Sequence, residues 1–157
     1  MGFKSTILVV EDVMRSRMLY EDILGCKVES DFGIYNLGFI GGFALYKKSL
    51  FAELINSNDI VFKAQNLAVY FEFDDINSLR DKIIANGFEL LHDIQEQPWG
   101  QMVFRFFDYD RHIVEVAEDM DTVLVNMYKS GMSESMIANK TGYTEDDVKK
   151  ILNLNKR

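Results

Sequence analysis

The chain has 157 residues, 48% of them hydrophobic and 13% aromatic, which suffices for one compact domain with or without a small appendage and excludes a disordered chain. Its formal net charge of −8 opposes the cationic footprint that a general nucleic-acid binder needs. No apolar run approaches a membrane span, the opening MGFKSTILVV carries no secretory pattern, and the single cysteine, Cys26, fits a reducing compartment, so a cytoplasmic protein is expected.

In chain order, ILVV predicts a first strand. Asp12 then suits a helix N-terminus, where unpaired amides and the helix dipole favour negative charge, and Gly25 suits a left-handed position after the helix. Three strand candidates follow: CKVES, YNLGFI and FALYKK. A connection over residues 49–66 contains one amphipathic turn, Phe51, Leu54 and Ile55. The grammar then repeats. VYFEF is a strand, Asp75 a helix start, and Ile76, Leu79, Ile83 and Ile84 recur at helical spacing up to Gly87. FELLHDI, QMVFRFF and HIVEVAE complete the second set. Each half reads β-α-β-β-β, with repeats at about 3–48 and 66–118. The expected fold is α+β: paired repeats forming a curved sheet around a cavity, with helices outside, and a small helical tail over residues 119–157.

The segments LVVEDVMRSRMLYEDILG, VYFEFDDINSLRDKIIANG and QPWGQMVFRFFDYDRHIVEV resemble, in order, the vicinal oxygen chelate superfamily. That group includes glyoxalase I, extradiol dioxygenases, fosfomycin-resistance thiol transferases and bleomycin-resistance proteins. The resemblance covers residues 3–118. The last segment is similar to the family run P-W-G-x-x-x-F-x-F-x-D-P-D-G-H-x-x-E and departs at Tyr109 for the proline and Arg111 for the glycine, which touches turn geometry more than chemistry. The resemblance implies a divalent metal held from the first and last strand of each repeat, at Ser5, Leu45, Ala68 and Glu115. Of these only Glu115 is a competent ligand, whereas a catalytic divalent site needs about three. His112, three residues before Glu115, is expected on the other face of the strand, and His92 on a solvated edge.

The expectation is therefore a non-catalytic protein without cofactor that binds a small organic molecule, as the bleomycin-resistance branch does, and that forms a homodimer. The alternative is a metal-dependent lyase or dioxygenase with a nonstandard site that uses Glu115. Strand alternation puts Ser5, Ile7, Val9, Phe43, Leu45, Lys47, Ala68, Tyr70, Glu72, Ile113, Glu115 and Ala117 on the cavity face. The candidate ligand-binding residues are Ser5, Phe43, Lys47, Tyr70, Glu72 and Glu115, with Trp99 of the PWG loop as a cap. Buried without a metal, Glu115 needs a partner, for which Lys47 or a ligand amine is expected.

The tail reads as three short helices. Val123, Leu124, Met127 and Tyr128 suit one, Met136 and Ile137 face inward on a second capped by Ser133, and Thr144 caps a third bearing Val148, Ile151 and Leu152. Ala138, Gly142 and Val148 match helix-turn-helix spacing, and the run from Gly131 to Thr144 resembles the small units of resolvases and many regulators. A ligand-responsive DNA reader is thus a second alternative. Against it, the recognition helix would open with Glu145, Asp146 and Asp147, and only Lys149, Lys150, Lys156 and Arg157 offer positive charge at its end. A packing or dimer-contacting tail is the favoured reading.

Overall fold

The computed structural model describes residues 2–154; Lys156 and Arg157 lie outside the described residues. Its described elements run β1 (Thr6–Val10), α1 (Val13–Arg17, continued by a π-helical stretch Met18–Ile23), β2 (Val28–Asp31), β3 (Asn36–Phe39), β4 (Phe43–Lys47) and α2 (Lys48–Ile55). They continue β5 (Ala68–Phe73), α3 (Ile76–Ala85), β6 (Leu90–Glu96), β7 (Met102–Phe107), β8 (Ile113–Glu118), α4 (Met120–Lys129), α5 (Glu134–Thr141) and α6 (Glu145–Leu154). The strands form two four-stranded sheets of the same topology, β1-β4-β3-β2 and β5-β8-β7-β6, so the fold is α+β with two βαβββ repeats. Among the described residues no helix is long and apolar enough to cross a membrane.

The punctuation expected of each repeat is present. The Asp12 carboxylate accepts from the amides of Met14 and Arg15 at 2.9 and 3.1 Å, and that of Asp75 from the amide of Ser78 at 3.0 Å. Gly25 and Gly87 take φ of 74° and 80°, a region that a Cβ disfavours. Arg111, standing where the family run has glycine, also takes a positive φ, 71°.

The chain divides into two compact units. The first comprises residues 1–68, 82–88 and 107–113. Its sheet buries one face: Leu8, Val10, Leu37, Phe39, Phe43 and Leu45, with Tyr20 of the π-helical stretch tilted against Phe39 and Phe43. The parallel register pairs Ile7 with Ala44, Leu8 with Leu45 and Val9 with Tyr46. Paired residues point to the same side. Ile7 and Val9 therefore share their face with Ala44 and Tyr46, while Phe43, Leu45 and Lys47 lie with Leu8 and Val10. This corrects the expected inward set, which joined one face of β1 to the opposite face of β4. The connection after β4 is also more regular than expected: α2 is an eight-residue helix, with Leu54 and Ile55 exposed.

The second unit comprises residues 69–81, 89–106 and 114–157. It includes the tail, whose three helices share a core of Val123, Leu124, Met127, Ile137, Ala138, Val148 and Leu152. Ser133 and Thr144 cap α5 and α6 as the sequence implies. Met136, however, is 55% exposed rather than inward. The core is reached by Gly100 of the PWG loop. At φ +90° its Cα approaches so closely that a Cβ would stand 2.2 Å from Met127 Cε and 3.1 Å from Lys140 Cε. Lys140 also pairs with Glu96 at 3.1 Å.

Candidate functional site

The open face of the second sheet carries a continuous polar row. Strand alternation puts Tyr70 and Glu72 on this face of β5, and Glu115 on that of β8. Arg105, on β7 between β8 and β6, donates through Nε to Glu115 Oε2 at 2.6 Å and through Nη1 to His92 Nε2 at 2.8 Å. Because Nε2 faces a guanidinium N–H and Nδ1 meets the Asp93 carbonyl at 2.8 Å, these bonds assign the ring proton to Nδ1 and leave Nε2 as the acceptor. The Arg105 and Glu115 side chains are only 23% and 18% exposed, so their pairing is shielded from bulk water.

A second group lies beside it. Tyr70 donates to Glu72 at 2.7 Å and accepts from Gln101 Nε2 at 2.9 Å. Gln101, 2% exposed, also donates to the Glu118 carbonyl and accepts from Trp99 Nε1 at 2.8 Å. One buried amide thus fixes both the ring that caps the loop and the phenol on the sheet. Partial burial, then the bond to Glu72, push the Tyr70 hydroxyl up to about 12, with the charge of Glu115 adding to the effect. Tyr70 is therefore a neutral donor at physiological pH. From the tail, Tyr143 is raised too, by burial first and then by the charges of Glu72, Asp121 and Asp119, which puts the turn before α6 within electrostatic reach of the same row.

Of the residues expected from sequence, Glu115, Tyr70, Glu72 and Trp99 come together here. Phe43 does not: it is stacked on Phe39 at 4.7 Å in the core of the first unit. Lys47 precedes α2 in the first unit, and the partner expected of it is supplied instead by Arg105. Ser5 lies in the first unit, its hydroxyl bonded to the neighbouring Thr6 carbonyl, beside a cavity of about 320 Å³ that Gly38, Ala44 and Tyr46 also line. Arg105, Gln101 and His92 are the members that sequence reasoning missed. Cys26, with its thiol pushed up to about 11 by burial, takes no part.

The four positions that the family resemblance gives to a metal do not fit one. Leu45 is fully buried on the core face of β4, Ala68 has no donor, Ser5 offers a hydroxyl, and the Glu115 carboxylate already holds a guanidinium. Among the described residues no group of three or more His, Cys, Asp or Glu side chains is arranged to hold a metal ion.

Elsewhere, the loop before β8 builds a buried cluster within the first unit. Asp108 accepts from the Tyr20 hydroxyl at 3.0 Å, His112 Nδ1 at 2.8 Å, and the amides of Asp110 and His112 at 3.0 and 2.8 Å. Asp110 in turn accepts from the Glu11 amide at 3.1 Å. Burial pulls the His112 pKa down, but the bond to Asp108 and the charges of Asp108 and Asp110 outweigh it, leaving it above the ordinary histidine value. A group raised on folding stabilises fully below its unfolded value of about 6.5 and loses that contribution as pH climbs through the higher folded value. The urea midpoint is therefore expected to fall across that window, and H112Q is expected to flatten the fall. An unchanged slope in H112Q would show that other groups set the pH dependence.

Residues 3–121 match the glyoxalase-like domain family, and the chain belongs to it. Among solved structures it is similar to a protein of unknown function from Agrobacterium tumefaciens str. C58, with 37% identity, 76% of this chain and 94% of that chain covered, and a TM-score of 0.68. A lactoylglutathione lyase from Agrobacterium tumefaciens shares the fold at 18% identity, covering 74% of this chain and 92% of that one, TM-score 0.57. The fosfomycin resistance protein FosX from Listeria monocytogenes does so at 16%, covering 76% and 93%, TM-score 0.56. Among curated proteins nothing matches the chain. The family match ends at residue 121, so α5 and α6 lie beyond it.

Proposed function

We propose that the protein binds a small organic molecule, without metal or catalysis, against the open face of the second sheet. The observation that carries this reading is the Arg105–Glu115 pair. The one competent carboxylate among the four family positions is neutralised by a guanidinium, which is where a divalent ion would have to be. The ligand would meet Tyr70, Glu72 and the Arg105–Glu115 pair with its polar groups and Trp99 with a planar one. Trp99 is the sole tryptophan, so its fluorescence reports the site directly. Protein purified without chelator, then offered zinc, nickel, iron and manganese, is expected to hold far less than one equivalent by mass spectrometry. Titration with a broad metabolite set is expected to give a Trp99 response that E115Q weakens. Near-stoichiometric metal that E115Q abolishes would overturn the reading and favour a metal-dependent enzyme.

The protein would act as a homodimer. Phe32, Ile34 and Tyr35 in the β2–β3 turn, with Ile40 and Phe3, are each more than half exposed, and an apolar set of this kind on one unit suits burial against a second copy. The tail would serve packing rather than DNA reading, which is supported by its contact with Gly100, its Lys140–Glu96 pair and the Glu145–Lys149 pairing at the start of α6.

A further inference from the structure

The three hydrogen bonds of the Gln101 amide have directions that its neighbours force, and every group involved belongs to the second unit. An indole N–H can only donate, so Trp99 Nε1 draws the Gln101 carbonyl oxygen toward itself, at 2.8 Å. A backbone carbonyl can only accept, so the Glu118 oxygen draws the amide nitrogen, at 2.7 Å. These two neighbours settle which way the amide lies. Its second N–H then donates to the Tyr70 hydroxyl at 2.9 Å.

The consequence passes along the sheet. With an N–H already aimed at its oxygen, Tyr70 cannot donate back to Gln101, and its proton goes to Glu72 at 2.7 Å. That proton stays in place at physiological pH, since the hydroxyl is pushed up to about 12 by partial burial and the bond to Glu72. The result is a one-way chain from Trp99 through Gln101 and Tyr70 to Glu72. It starts at a group that only donates and ends at one that, ionised, only accepts. Gln101 is 2% exposed, so it acts on a ligand only through the side chains it holds.

The chain also decides what is left for a ligand. The Trp99 N–H is spent on Gln101, so the indole offers carbon surface. The Tyr70 proton is spent on Glu72. Glu72 is exposed and keeps the acceptor sites that Tyr70 does not fill. This end of the row therefore presents acceptors beside an aromatic ring, and a ligand that accepts there would set lone pair against lone pair.

We infer that Gln101 is the positioning residue of the ligand site and makes its Trp99–Glu72 end select a planar N–H donor of the amidinium kind over a planar acceptor. The inference rests on the reading of this face as the ligand site and adds the chemical class that the site takes.

The probes are benzamidine, which in its protonated form only donates, and benzoate, an acceptor of the same shape. Phenyltrimethylammonium, a cation without an N–H, separates donation from charge. Each is offered to the full chain and followed by calorimetry and by the indole N–H resonance, of which the sole tryptophan gives one. Benzamidine is expected to bind at least about tenfold more tightly than either of the others. Q101M, close to glutamine in size, is expected to move the indole resonance of the free protein and to weaken benzamidine about tenfold. Should Q101M lose the fold, Y70F carries the test. It cuts the link to Glu72 while Gln101 stays bonded to Trp99 and Glu118, so benzamidine weakens and the indole resonance holds. No benzamidine binding up to about 10 mM would overturn the inference. So would equal binding of benzoate or phenyltrimethylammonium, or benzamidine affinity unchanged in the variants. Near-stoichiometric metal would sink the ligand-site reading with the Q101M shift still present, whereas an unmoved indole resonance in Q101M would sink this inference whatever the metal content.

Discussion

Replacing Asp108 with alanine is expected to lower the unfolding free energy by about 3–5 kcal/mol, the range for breaking a buried charged pair by removing one partner. Its side chain is 1% exposed and accepts four hydrogen bonds, two from backbone amides and two from side chains. Deletion strands the imidazole of His112 and two amides in a site that water cannot enter freely, so their desolvation is left uncompensated. D108N should cost less, because it keeps an acceptor and the shape, although its amide opposes at least one of the side-chain donors. A double-mutant cycle of D108A with H112A, read by urea denaturation, is expected to give a coupling of about 1 kcal/mol or more. Additive losses would mean that the pair is a geometric neighbour without energetic weight.

Leu45→Glu, which puts a carboxylate at one of the family's metal positions, is expected to be more damaging still, at about 4–5 kcal/mol or beyond. Leu45 is fully buried on the face of β4 that meets Leu8, Leu37 and the aromatic cluster of Tyr20, Phe39 and Phe43. A charge there has neither water nor a partner. Ala44→Glu is the control. Ala44 pairs with Ile7 and Gly38 on the opposite face and borders the 320 Å³ cavity, where a carboxylate reaches solvent. Soluble expression and thermal unfolding should rank A44E well above L45E. The reverse order would mean that β4 is out of register by one residue.

That register is also where sequence reasoning failed, and the cause is physical. Faces are read from apolar alternation, but Phe43, Ala44 and Leu45 are all buried, so the strand has no polar beat to count. The repeat itself was legible because its markers are local. Asp12 and Asp75 cap helices by bonding amides two or three residues away, and Gly25 and Gly87 are demanded by their own φ. Tyr70, Glu72, Trp99 and Glu115 were legible from motif and period. Arg105 was not, since MVFRFF shows nothing of the carboxylate and imidazole that two neighbouring strands bring to it. Gln101 escaped for a similar reason: a buried amide linking Trp99, Tyr70 and the Glu118 carbonyl is a three-dimensional fact. The tail's caps are local and readable from sequence, whereas Met136 is exposed where helical spacing suggests burial, because spacing alone cannot tell which side of a short helix finds a partner.

The missing side chain at Gly100 links two parts of the second unit that differ in origin of match, one inside the family segment and one beyond it. Met127 belongs at once to the helical core of the tail and to the wall beneath the loop that carries Trp99. Loop and tail therefore form a single opening unit in amide exchange: protection of residues 97–101 and of α4–α6 rises and falls together, and whatever slows one slows the other. A cut between residues 121 and 122 would then do more than shorten the chain. It would unseat the loop that positions the indole.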